Sequence, residues 1–240
     1  MRIYRGPSIT FVLSAALFGF TAVIALPAQR PDQASVIQHL DAVVRARFDH
    51  VQSFTVTEHY KVFRGDENSQ PMAEMTVKTQ YQRSSGKTYT ILSESGPSLV
   101  KKMAFGPLLD NEKHINDPAT REASWFISAN YDMKLQPGTQ QLSGRECYVL
   151  SISPKRKAPN LIEGNLWVDV RDYSAVQIQG VASKNPSIFA GATQMMRQYA
   201  NIDGYAQAVH ARAESSAFLL GKIIVTIDYS NYQIQMRPSS

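Results

Sequence analysis

The sequence predicts an α+β chain that is mainly β. One N-terminal helix precedes about ten strands in a mainly antiparallel sheet, and short helices are inserted into the strand series. Three observations predict this. Apolar spacing switches from helical to alternating near Ser53. Gly, Pro and Ser turns punctuate the chain at short intervals after that point. No composition shift or repeat divides the 240 residues into further domains.

The helix runs over Asp32 to Val51. Val36, Ile37, Leu40, Val43, Val44, Phe48 and Val51 fall on one stripe, with Gln38, Asp41 and Arg45 opposite. Asp32 can cap its start, because its carboxylate can accept from free backbone N–H groups of the first turn.

After Ser53, Phe54, Val56, Tyr60 and Val62 alternate with Thr55, Thr57, His59 and Lys61. A polar turn from Gly65 to Pro71 leads to Met75, Val77, Thr79 and Tyr81. Ser84-Ser85-Gly86-Lys87 is the next turn, and Thr88 to Ser93 the third strand. Gly96 to Ile127 breaks the alternation. Leu99, Val100, Met103, Leu108, Leu109 and Ile115 have helical spacing, with Gly106-Pro107 as a break, which predicts one or two short helices. Strands resume at Ala129–Leu135, Arg145–Ser153, Leu161–Val170, Ala175–Ala182, Met195–Ile202, Val209–Ser215 and Lys222–Tyr232. Short turns join most of them, which favours antiparallel pairing.

Residues 1–28 have the layout of a secretory signal. Arg2 and Arg5 lead, an apolar run from Ile9 to Leu26 follows, and Leu26-Pro27-Ala28 closes it. Cleavage after Ala28 leaves residues 29–240 as a single domain. An uncleaved anchor is the alternative, since the run is borderline in length for a bilayer. In either case the body is exported, because the positive charges precede the apolar run. The one cysteine, Cys147, excludes an intramolecular disulfide, and it lies too far downstream for a standard lipoprotein. Asn185 is followed by Pro186, so no glycosylation sequon is present. These features suit a bacterial periplasm.

Charge and motifs exclude several functions. The formal net charge of +5 falls by two, to +3, without Arg2 and Arg5, too little to imply nucleic acid. The five histidines, at 39, 50, 59, 114 and 210, show no metal spacing, and one cysteine cannot build a zinc site. Ser98-Leu99-Val100-Lys101 matches S-x-x-K, but the K-T-G strand that accompanies it in penicillin-recognising enzymes is missing. Glycine-rich phosphate loops and G-x-S-x-G are absent as well. The expectation is a protein without enzymatic activity, cofactor or metal. Pro154-Lys155-Arg156-Lys157 reads as a solvated turn, or as a contact for anionic lipid or an acidic partner.

Apolar material is abundant: 11 Tyr, 10 Phe, 8 Met and 2 Trp. Met72, Met75, Met103, Met195 and Met196 lie in or near the strands and the inserted helix. They suit core packing, or a pocket for variable apolar ligands.

The second half has a recognisable layout. Asn130-Tyr131-Asp132 opens a strand, and Ser143-Gly144-Arg145-Glu146-Cys147-Tyr148-Val149-Leu150 leads to Pro154-Lys155. Glu163-Gly164-Asn165-Leu166-Trp167-Val168-Asp169 and Val176 to Gly180 follow. Tyr199 to Gly204 and Gly221 to Tyr232 close it. This resembles the LolA/LolB-like superfamily of bacterial outer-membrane lipoprotein-sorting proteins, over about residues 32 to 234. The resemblance implies an unclosed, strongly curved antiparallel half-barrel whose helices plug the concave face. It also implies a carrier of lipid or lipoprotein acyl chains, with a membrane-anchored donor or receptor as partner. An envelope stress-sensor or assembly scaffold that binds a protein is the alternative. No ligand-contacting residue of the family matches a motif here.

Alternation places Phe54 and Tyr60 on one face of the first strand, and Met75 and Tyr81 on one face of the second. The helices carry more apolar surface than a packed sheet face needs. A concave apolar hollow is therefore expected between helices and sheet, with Phe54, Tyr60, Met75, Tyr81, Met103 and Trp167 as candidate wall residues.

Overall fold

A computed structural model describes residues 31–184, 191–217 and 221–238. The leader at 1–28 lies outside the described residues. The first element is helix α1 (Gln33–His50), whose N-cap Asp32 accepts from the backbone N–H of Ser35. Three strands follow: β1 (Val51–Arg64), β2 (Ala73–Gln82) and β3 (Gly86–Ser95). Helix α2 (Ser98–Ile115) and a 3-10 turn (Arg121–Ser124) come next. The remaining strands are β4 (Tyr131–Leu135), β5 (Gln140–Leu142), β6 (Arg145–Pro154), β7 (Ile162–Asp169), β8 (Ala175–Ala182), β9 (Gln194–Ile202), β10 (Tyr205–Ala217) and β11 (Gly221–Met236).

All described pairings are antiparallel, in the order β3-β2-β1-β11-β10-β9-β8-β7-β6-β4, with β5 also on β6. β3 and β4 end the order and do not pair with each other, so the sheet is an open, curved half-barrel. Most neighbours in space are neighbours in sequence. The exceptions are β4 with β6, separated only by the short β5, and β1 with β11, a long pairing between the two ends of the domain. It joins the β1–β2–β3 meander to the rest of the sheet.

One glycine pair is required by close approach. Gly164 of β7 sits opposite Gly180 of β8. A Cβ on either would collide with the facing backbone carbonyl, of Gln179 or of Glu163.

The structure departs from the sequence expectation between Gly96 and Ile127. Gly106-Pro107 does not break the helix; α2 is continuous through Pro107. Proline removes one helical hydrogen bond there, but Phe105 and Leu109 are both buried and hold the segments on either side of it. The short strand β5 also escaped the sequence reading, since three residues show no alternation.

Two apolar clusters flank the middle of the sheet. Val36 and Leu40 of α1 pack with Leu150, Leu166, Val168 and Ile178 of β6, β7 and β8. Ala104, Phe105 and Leu109 of α2 pack with Tyr60, Met75, Val77 and Val225 of β1, β2 and β11. A smaller cluster joins Val51, Phe54, Val56 and Tyr81.

Candidate functional site

A cavity of about 180 Å³ lies where the two helices meet the middle of the sheet. Helix α1 contributes Val43, Val44, Arg47 and Phe48, and α2 contributes Glu112 and Ile115. The segment after the 3-10 turn adds Trp125 and Phe126. Strands β1, β9, β10 and β11 supply Phe54, Glu58, Arg197, Tyr199, Gln207, Tyr229 and Tyr232. Phe48 stacks on Trp125 with ring centroids 4.0 Å apart, so an aromatic pair tied to α1 forms one wall.

Charges line part of this cavity. Glu58 follows the parity of Phe54, Val56 and Tyr60 and so points inward; it is 2% exposed. Tyr60 Oη donates to Glu58 Oε2 at 2.5 Å. Lys87, at the start of β3, donates to Glu112 Oε2 at 2.8 Å and lies 3.7 Å from Glu58 Oε1. Arg197 of β9 donates to Glu112 Oε1 at 3.2 Å.

Each titration follows from burial and pairing. Burial alone would raise the Glu112 carboxyl, but Lys87 and Arg197 draw it down to about 2. Burial alone would lower Lys87, but Glu112 and Glu58 push it up to about 12. Burial and the neighbouring Glu58 raise the Tyr60 phenol well above its usual value. Burial lifts Tyr232 to about 12 as well. Glu112 and Lys87 are therefore ionised at neutral pH, and the Tyr60 and Tyr232 phenols are protonated.

The six candidate wall residues separate. Phe54 lines the cavity. Tyr81 stacks on Phe54 at 4.8 Å, one layer behind, and its hydroxyl accepts from Arg121. Tyr60 and Met75 sit in the apolar cluster beneath α2, where Tyr60 meets Phe105 edge-on. Met103 is on the outer face of α2 and 49% exposed. Trp167 faces away from the cluster that holds Leu166 and Val168, and its indole N–H donates to Gln140. Parity alone cannot say which residues of an inward face meet a helix and which meet a gap.

The sequence reading missed Glu58, Lys87, Glu112 and Arg197 as a group. A lone carboxylate on the apolar parity of β1 was a usable signal for Glu58. Glu112 follows Phe105 and Leu109 at helical spacing, a signal hidden by the expected break at Pro107. Lys87 read as a turn residue.

Cys147 is buried, and burial together with Asp169 raises its thiol, which makes it a poor nucleophile. Among the described residues, no three His, Cys, Asp or Glu side chains converge as a metal site. No described helix is long and apolar enough to cross a membrane.

No protein-family model and no curated protein matches the chain. Solved structures do. A LolA superfamily protein from Nitrosomonas europaea is 12% identical with a TM-score of 0.47, covering 85% of this chain and 94% of that one. A domain assigned to the outer membrane lipoprotein-sorting proteins, from Vibrio parahaemolyticus, is 15% identical with a TM-score of 0.46, covering 84% and 91%. A DUF1329 family protein from Desulfovibrio piger is 16% identical with a TM-score of 0.43, covering 83% and 93%. Two of the three bear the description that the sequence resemblance named. At these identities the likeness concerns the fold.

Proposed function

We propose that this protein is a non-enzymatic carrier of lipid or lipoprotein acyl chains in the periplasm. The observation that carries this reading is the cavity between α1, α2 and the sheet, walled by Val43, Val44, Phe48, Phe54, Trp125 and Phe126. Each methylene moved from water to such walls contributes about 0.8 kcal/mol. Ligand pockets usually enclose about 300–1,000 Å³, more than the 180 Å³ present here. The described state is therefore a closed one, and a long chain enters as a helix shifts. Transfer to a membrane-anchored receptor follows if the shifted state binds the chain less tightly. The secretory signal at residues 1–28 delivers the carrier to that compartment.

Mass spectrometry of organic extracts from natively purified protein tests this. Co-purified acyl chains in stoichiometric amount are expected. Extracts free of acyl chains, with no binding of a fluorescent fatty-acyl probe, sink the reading. One observation favours the alternative of an assembly scaffold or stress sensor. The edge strand β3 and its neighbour α2 expose Ile91, Leu92, Leu99 and Met103. A scaffold retains a protein on purification and no lipid.

A further inference from the structure

Three cations and two carboxylates line the cavity: Arg47, Lys87 and Arg197 against Glu58 and Glu112. Glu112 is engaged by both Lys87 and Arg197, and Glu58 by Lys87 at 3.7 Å. Among the described residues, no carboxylate pairs with Arg47. Its Nη2 donates to Gln207 Oε1 at 2.8 Å, while its Nε is buried without a partner. Its guanidinium carbon lies 4.8 Å from the Phe48 ring centroid, and Phe48 also holds Trp125. Burial disfavours the Arg47 charge, and the neighbouring Tyr232, Tyr81 and Tyr199 offset this only in part.

Among the described residues, two further buried donors on the same lining lack an acceptor, Gln207 Nε2 and Trp125 Nε1, while one buried acceptor, Glu58 Oε1, lacks a hydrogen-bond donor and has only Lys87 nearby as a counter-charge. Turning the Gln207 amide over does not help, because its N–H group would then face the Arg47 donor. Buried donors without partners are rare in folded proteins, and each is costly. An acceptor carrying negative charge answers all three donors. The apolar walls beside them answer a hydrocarbon tail.

We infer that Arg47, with Gln207 and Trp125, binds the anionic head, carboxylate or phosphate, of a single-chain amphiphile whose tail lies along Val43, Val44 and Phe54. This rests on the carrier reading above and adds what that reading leaves open, the chemistry of the head group. A guanidinium is always charged and suits both kinds of oxyanion.

The test uses the full chain and cis-parinaric acid, which fluoresces when bound, alongside its methyl ester. The acid is expected to bind about ten- to a hundredfold tighter than the ester, the range of a charge-assisted hydrogen bond. Arg47→Met brings the acid to the level of the ester and leaves the ester unchanged. Arg47→Lys keeps part of the preference, and Gln207→Leu loses less of it than Arg47→Met. Lysophosphatidic acid displaces the probe, whereas inorganic phosphate at the same concentration does not.

Equal affinity of acid and ester for the wild-type protein overturns the head-group site and leaves the carrier standing. So does an Arg47→Met protein that weakens both probes alike. Displacement by inorganic phosphate alone also overturns it, since the site would then serve a free anion. Binding of neither probe overturns the carrier reading and this inference together. Circular dichroism checks that each variant is folded, and Arg47→Lys with Gln207→Leu decides the matter if Arg47→Met is not.

Discussion

The two long helices line one cavity, yet they are seated by different physics. Helix α1 begins with a side-chain cap at Asp32 and buries Val36 and Leu40 completely among apolar residues of β6, β7 and β8. Its polar ties lie nearer its middle, where Asp41 accepts from Ser128 and Arg45 pairs with Glu122. Helix α2 starts at Pro97 with no side-chain cap and carries a proline inside. It buries Ala104, Phe105 and Leu109, and its last buried residue is a carboxylate between two cations. An apolar seat loses dispersion contacts as it is displaced but strands no charge. A buried ion cluster instead loses the directed pairings that offset its desolvation. A displaced α2 could exchange its paired charges for water, an exchange that the apolar seat of α1 does not offer. Helix α2 is the better candidate for the element that shifts when a ligand enters.

The most damaging single change to either seat falls in α1. Leu40→Ala removes a side chain that is 0% exposed at the centre of the α1 seat. A loss of about 4 kcal/mol is expected, the usual range for a cavity left in a packed core. Urea denaturation followed by circular dichroism measures it. No ionisable group belongs to the buried core of that cluster apart from the Tyr131 phenol, which stays protonated, so the loss should be the same at pH 7 and at pH 3. A loss that varies with pH places charge in the α1 seat and removes the distinction.

Glu112→Gln acts on the α2 seat and should cost about 3 kcal/mol at pH 7, because Lys87 and Arg197 lose their shared counter-charge. Here pH matters. The Glu112 carboxyl is held at about 2 against an ordinary 4.5. A carboxylate held below its unfolded value adds stability above about pH 4.5 and loses it as pH falls toward 2. The gap between wild type and Glu112→Gln should therefore close over that range, while the Leu40→Ala gap stays open. A gap that persists unchanged at pH 2.5 would mean that Glu112 acts through packing and not through charge.

The same difference explains what the sequence could reveal. The α1 stripe was readable because apolar spacing of 3 and 4 is a local property. Val36 and Leu40 of that stripe fill the core, Val44 packs against it, and Val43, Val44 and Phe48 line the cavity. The strand alternation of β1 and β2 was readable for the same reason, whereas the close pairing of Gly164 with Gly180 was not. The α2 seat was not readable. Lys87 and Glu112 are 25 residues apart in the chain, and Arg197 and Glu112 are 85 apart. Nothing local indicates that such residues meet. Arg47 stands beside the apolar stripe of α1 and reads as a solvated charge until the strand bearing Gln207 is set against it.

The smallest effect concerns Met103, an expected wall residue that the fold places on the outer face of α2. Helical spacing puts Leu99, Met103, Gly106 and Asp110 on one stripe, and Phe105, Leu109 and Glu112 on another. The second stripe is buried and the first is exposed. Met103→Glu adds a charge to a side chain already in water, so stability should change by less than about 0.5 kcal/mol. Affinity for a fatty-acyl probe should not change either. Thermal unfolding and probe titration measure the two effects on one sample. A folded Met103→Glu protein that has lost probe affinity would mean that α2 turns its outer stripe toward the ligand as the cavity opens. The charged seat would then be a latch released by rotation of the helix, and the two seats would differ in what they let move as well as in strength.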